Sequence, residues 1–151
     1  MTDFSELLGK TLVRCERMPY GKPTFKADEA WCTWARSFDS ETIVFVCDDG
    51  TPYVMGYEQD CCASCEIESI NGDLSDLVGV PIVLADEASS SEPNSDASPI
   101  GWTPDEYEDS YTWTFYRLAT VKGHVDIRWF GSSNGYYSES VSFYKCDEIH
   151  L

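Results

Sequence analysis

The sequence predicts a mainly β protein, an antiparallel meander or sandwich with one or two short helical turns. Three observations predict it. Thr42–Cys47 reads TIVFVC, a β-branched and aromatic run. An Asp-Gly turn signal follows directly and leads into a second apolar run. Near the C-terminus, residues 111–121 and 124–130 form two aromatic-rich runs with Lys122-Gly123 between them.

Taken in order, residues 3–9 (DFSELLG) predict a short helical turn, and residues 11–17 a strand with Leu12 and Val13 among polar positions. Residues 19–41 predict no regular element, because Pro19, Gly21 and Pro23 interrupt the segment. Trp31 and Trp34 within it are expected to cover the core. Thr42–Cys47 is expected to bury both faces, since Ile43, Phe45 and Cys47 alternate with Val44 and Val46. Residues 52–57 are the return strand of the Asp48-Asp49-Gly50 hairpin. Ile67 and Ile70 mark a further extended piece. Residues 72–79 read as one helical turn capped by Asp73 and closed by Gly79. Residues 80–85 follow as a strand with Pro81 near an edge or a start.

Residues 86–110 are rich in Ser, Pro and acids and predict a mobile acidic loop within a single domain spanning 1–151. In the C-terminal hairpin, pairing Val121 with His124 sets Leu118 against Ile127 and Tyr116 against Trp129. One face then carries Thr114, Tyr116, Leu118, Val125, Ile127 and Trp129. The other carries Trp113, Phe115, Arg117, Asp126, Arg128 and Phe130, with Arg117 and Arg128 directly opposed. A third strand over 136–144 completes the meander, with Val141 opposite Val125. No internal repeat stands out.

The chain has 151 residues and a net charge of −17. Its charge order matters more than its total. No Lys or Arg lies between Arg36 and Arg117, a span that holds eighteen acids. Such a field opposes direct binding to nucleic acid or to an anionic membrane and attracts basic partners. No apolar run reaches the roughly 20 residues that span a bilayer. The N-terminal residues lack the basic and apolar regions of a signal peptide. A cytoplasmic location, with reduced thiols, is therefore expected.

Seven cysteines are present. Cys61, Cys62 and Cys65 hold a zinc-like spacing, yet no second such pair completes a four-ligand site. Acids on both sides work against a reactive thiolate, and burial as small apolar residues is the plainer role. Neither histidine sits in a triad-like arrangement, so an enzymatic role, metal-dependent or otherwise, has little support, and no cofactor is expected. The run from Trp129 to Tyr137 offers an adaptable polar loop rimmed by aromatics. With Arg117 and Arg128 beside Phe130, Asn134 and Tyr136, it is a candidate nucleotide cradle.

Gln59-Asp60-Cys61-Cys62 with Ile67-Glu68, the Gly72-Asp73-Leu74 to Leu77-Val78-Gly79 stretch, and Thr112 to Tyr116 with the SSNGYYSES run resemble a family of small uncharacterised proteins of phages and bacteria. In that pattern a His often precedes the cysteine pair and a Glu follows it. Here Tyr57 and Ala63 stand in those places. The resemblance implies a phage accessory protein in the cytoplasm of an infected bacterium, with a structural role for the cysteines. Joined to the charge map, it yields the leading expectation: a non-enzymatic anti-defence inhibitor. Its acidic surface, with Asp86, Glu87, Asp105, Glu106, Glu108 and Asp109, would mimic DNA toward a basic host protein. The alternatives are a sponge for a nucleotide signal and a metal-binding enzyme. Oligomeric state is not readable.

Overall fold

Two four-stranded antiparallel sheets carry the molecule in this computed structural model. It describes residues 2–19, 23–27, 30–33, 38, 40–58, 63–90, 110–133, 138–146 and 149–150, with the side chains of 25–27, 30–33 and 149–150 outside the description. The strands are β1 (Leu12–Met18), β2 (Thr24–Ala27), β3 (Ala30–Thr33), β4 (Thr42–Cys47), β5 (Pro52–Gly56), β6 (Ser64–Asn71), β7 (Leu84–Ser90), β8 (Ser110–Thr120), β9 (Gly123–Ser133), β10 (Ser142–Lys145) and β11 (Ile149–His150). The first sheet runs β1-β4-β5-β10, the second β6-β9-β8-β7, and a small third sheet β11-β3-β2. The β2–β3 pair corrects the expectation of irregular structure over 19–41. The breakers all precede Thr24, and the four-residue strands after them pair from Thr24↔Thr33 to Ala27↔Ala30. Trp31 and Trp34 lie outside the described side chains.

The main core forms between the two large sheets. Phe45, Tyr53, Met55 and Phe143 come from the first; Tyr116, Leu118, Val125, Ile127 and Trp129 come from the second. Each contributes about 1.5–3 kcal/mol by leaving water. Tyr53 stacks on Phe143 at 5.4 Å, and Phe4 packs on Tyr116 at 4.7 Å. The indole N–H of Trp129 donates to the Met55 sulfur at 3.2 Å across the sandwich. As expected, β4 is buried on both faces. Its second face, Val44 and Val46 with Val54, packs with Phe38 and Cys146.

The Asp48-Asp49-Gly50 hairpin forms as read. Cys47 and Thr51 close it, and the Asp49 carboxylate accepts the Thr51 N–H at 2.9 Å. The two expected helical turns are single 3-10 turns, Phe4–Leu7 and Leu74–Leu77. The stretch read as a loop begins later than residue 86, because β7 runs to Ser90 in register with β8.

Two pairings differ from expectation. The β8–β9 turn is Val121-Lys122, so Leu118 faces Val125 and Tyr116 faces Ile127. The Thr120 hydroxyl fixes it: it accepts the Lys122 N–H at 3.1 Å and donates to the Asp76 carbonyl. This moves each partner by two residues, which keeps both face sets intact but ends the opposition of the arginines. Arg117 faces Asp126, and Arg128 faces Phe115. The larger correction concerns the third strand. β9 takes β6 as its neighbour, with Ile67 opposite Trp129. β10 crosses to the first sheet, with Phe143 opposite Met55.

This crossing exposes a repeat that the linear reading did not find. Asp3-Phe4-Ser5-Glu6-Leu7-Leu8-Gly9 matches Asp73-Leu74-Ser75-Asp76-Leu77-Val78-Gly79 at Asp, Ser, Leu and Gly. Both acids cap their turns by accepting from the N–H and hydroxyl of the Ser two residues on. Both glycines hold positive φ, 85° and 89°, which a side chain would strain. The two segments also bond reciprocally: Gly9 N–H to the Ile82 carbonyl and Gly79 N–H to the Leu12 carbonyl, each 2.8 Å. After each turn the same plan follows. β1, β4 and β5 in the first half correspond to β7, β8 and β9 in the second, and the strand after each set completes the other sheet.

Candidate ligand-binding site on the second sheet

Alternation along β8 and β9 turns Phe115, Arg117, Asp126 and Arg128 to the outer face of the second sheet. There, with Asn71, Ala88 and Ile127, they line an open cavity of about 390 Å³. Each arginine is held by a carboxylate from an edge strand. Arg117, in the middle of β8, is gripped by Asp86 of β7 through two bonds of 3.0 and 3.2 Å. Arg128 on β9 pairs with Glu68 of β6 at 2.9 Å. The first pair is about half exposed, whereas Arg128 and Glu68 retain 25% and 16% of their side-chain exposure. The second pair is therefore the less screened by solvent. Trp113, fully buried, and Phe130 pack at 5.0 Å farther along this face, and Tyr111 stacks on Phe130 at 6.2 Å.

The arrangement offers two planar donor groups, an aromatic wall and an amide. That set suits a flat polar ligand with an anionic end. Of the candidate cradle residues, Arg117 and Arg128 line the cavity and Phe130 lies on the same outer face. Asn134 and Tyr136 lie outside the described residues. Phe115, Asn71, Ile127 and Glu68 were not among the candidates, and Asp86 was one only as part of the acidic surface. The outer-face alternation pointed to Phe115; the edge-strand partners had no local signal.

The acidic candidates divide. Asp86 is engaged by Arg117, and its neighbour Glu87 lies across the strand, bonded to the Tyr116 hydroxyl. Burial holds the Glu87 carboxyl above its ordinary range, with Asp3 nearby adding to the rise. Asp105, Glu106, Glu108 and Asp109 lie outside the described residues. Elsewhere in the basic-free span, Glu41 is paired with Arg17, and Lys10 and Lys145 lie near Asp49.

Cys61 and Cys62 are outside the description. Cys65 is buried and free, its thiol pushed up to about 12 by burial first and by Glu139 and Glu66 after it. Cys15 and Cys47 are likewise buried and free, while Cys146 is disulfide-bonded, which the expectation of reduced thiols did not anticipate. Among the described residues no group of three ligating side chains gathers. No helix there is long and apolar enough to cross a membrane.

Fold and site together define a class: a two-sheet antiparallel β protein with a ligand-sized, arginine-lined cavity on one outer face. The chain belongs to the family described as Domain of unknown function (DUF7448), which matches residues 5–143. No curated protein and no solved structure matches it.

Proposed function

We propose that this protein works by binding, and that its working surface is the outer face of the second sheet. The cavity of about 390 Å³ that brings Arg117 and Arg128 together beside Phe115 carries this reading. Its volume lies within the range of small-molecule sites. The ligand it suits is a nucleotide, with the base against Phe115 and the phosphate taking the exposed guanidinium of Arg117 from Asp86. As an accessory protein of a phage in the bacterial cytoplasm, such a binder would sequester a nucleotide signal of host defence.

A second reading keeps that setting and uses the net charge of −17. Here the acidic surface occupies the basic groove of a host nucleic-acid-binding protein as a DNA mimic. It ranks second because Glu41, Glu68 and Asp86 are each paired with an arginine from outside the basic-free span. The anionic patch is thus interrupted along its length.

Titration calorimetry with a panel of linear and cyclic nucleotides separates the two. The nucleotide reading expects heat with at least one member, lost in Arg117→Ala while the fold is retained. No heat with any nucleotide removes it. The mimicry reading expects instead a complex with a basic host protein that weakens steeply with salt.

A further inference from the structure

The two copies of the repeat plan are interlocked. The first half supplies the Phe4–Leu7 turn, β1, β4 and β5 to the first sheet, and then sends β6 to the second. The second half supplies the Leu74–Leu77 turn, β7, β8 and β9 to the second sheet, and then sends β10 to the first. Neither half builds a complete four-stranded sheet. Each leaves one inner strand, β5 or β9, to be finished by the other.

The contacts between halves are reciprocal. Phe143 pairs with Met55 as Ile67 pairs with Trp129. Met55 of the first half and Trp129 of the second touch each other at 3.2 Å. The Gly9–Ile82 and Gly79–Leu12 bonds repeat the pattern at the turns. An interface in which residue i meets j and j meets i is the property of a two-fold pair, and exchange of an identical element is a low-cost route to one.

The joints match as well. β6 ends at Asn71 and passes through Gly72 to the cap Asp73. In the other half β10 ends beside the first turn: the Lys145 N–H donates to the Thr2 hydroxyl and the Thr2 N–H to the Phe143 carbonyl, both at 2.9 Å. One of two equivalent junctions is covalent, and the other is a pair of hydrogen bonds.

We infer that the molecule is a covalently joined, strand-exchanged pair of like half-sandwiches. Each half is the docking partner of the other, and the edge that a lone half presents on β5 or β9 is fitted by a second copy of the same plan. The connection through Gly72 and the disulfide of Cys146 to the first half hold the halves together and do not define the fold.

Two full-content variants test this. The first is a circular permutant opened between Gly72 and Asp73, with residue 151 joined to residue 1 by a flexible linker. It is expected to keep the native near-ultraviolet circular dichroism and a single cooperative melt. The second carries a glycine-flanked protease site at the same joint. Because Cys146 is disulfide-bonded and the other six cysteines all lie in the first half, the cut protein is first reduced; both pieces are then expected to co-elute at the size of the intact chain, to part only in denaturant, and to re-form one complex on dilution. Success of either variant supports the inference. Loss of the native state in both, or recovery of the native spectrum by one fragment alone, overturns it.

Discussion

On the outer face of the first sheet, Val44, Val46 and Val54 are fully buried, in a cluster with Phe38 and Cys146. On the outer face of the second sheet stand Phe115, Arg117 and Arg128, beside an open cavity. Pairing sets these outer faces: Val44↔Val54 and Val46↔Pro52 in one hairpin, Phe115↔Arg128 and Arg117↔Asp126 in the other. The inward faces, by contrast, both feed the core, with Met55 from one sheet and Trp129 from the other. Positions that only need to exclude water kept apolar side chains. One outer face is part of the core, and the other carries guanidiniums, which cost stability to order.

The largest expected effect comes from giving the first face the chemistry of the second. Val54→Arg places an unpaired charge where exposure is nil. It should cost about 3–5 kcal/mol, enough to remove most folded protein in a denaturant melt. A near-native melt would mean that the first face is not a second core. Next in size, Arg128→Ala strands the shielded Glu68 carboxylate and should cost about 1–3 kcal/mol. Replacing Arg128 and Glu68 together by leucine should restore most of that loss, and a double-mutant cycle reads the difference. Arg117→Ala removes a half-exposed pair and should change stability by less than about 1 kcal/mol. Its effect belongs to binding. A large stability loss there would make Arg117 a structural residue.

Two smaller effects probe the repeat and the thiols. Hydrogen bonds from Ser5 and Ser75 hold the Asp3 and Asp73 carboxyls below their ordinary value. A depressed carboxyl contributes stability above its unfolded value and loses it as pH falls through the folded one. Asp73→Ala should therefore lower the melting temperature at neutral pH, with the gap to the unaltered protein closing in acid. A gap that stays constant with pH would exclude the cap as its source. Cys15, Cys47 and Cys65 should resist a thiol reagent until the chain unfolds, since burial raises all three. Rapid labelling of any of them in the native state would contradict their placement.

Local chemistry was legible in the sequence, and long-range partnership was not. The run at Thr42–Cys47 and the Asp-Gly turn after it announce a hairpin because a few neighbouring residues decide it. The face sets of β8 and β9 were legible because a two-residue register error leaves alternation unchanged. The exchange of β6 and β10 depends on which free edge a strand reaches, and no residue within 136–144 states that. The repeat was hidden because the capping residues recur while the strands around them diverged from valine to arginine. Arg117 and Arg128 could be seen to share a face, but Asp86 and Glu68 come from edge strands far along the chain. For the same reason a span without Lys or Arg in sequence is not without them in space.

The most direct measurement is a nitrogen-15 NMR titration with the nucleotide panel, following amides of residues 113–117 and 126–130 against those of 44–46 and 52–55. The account predicts shifts concentrated in the first group, saturating with ligand and abolished by Arg117→Ala. Shifts centred on the second group, or none in either across the whole panel, would contradict it.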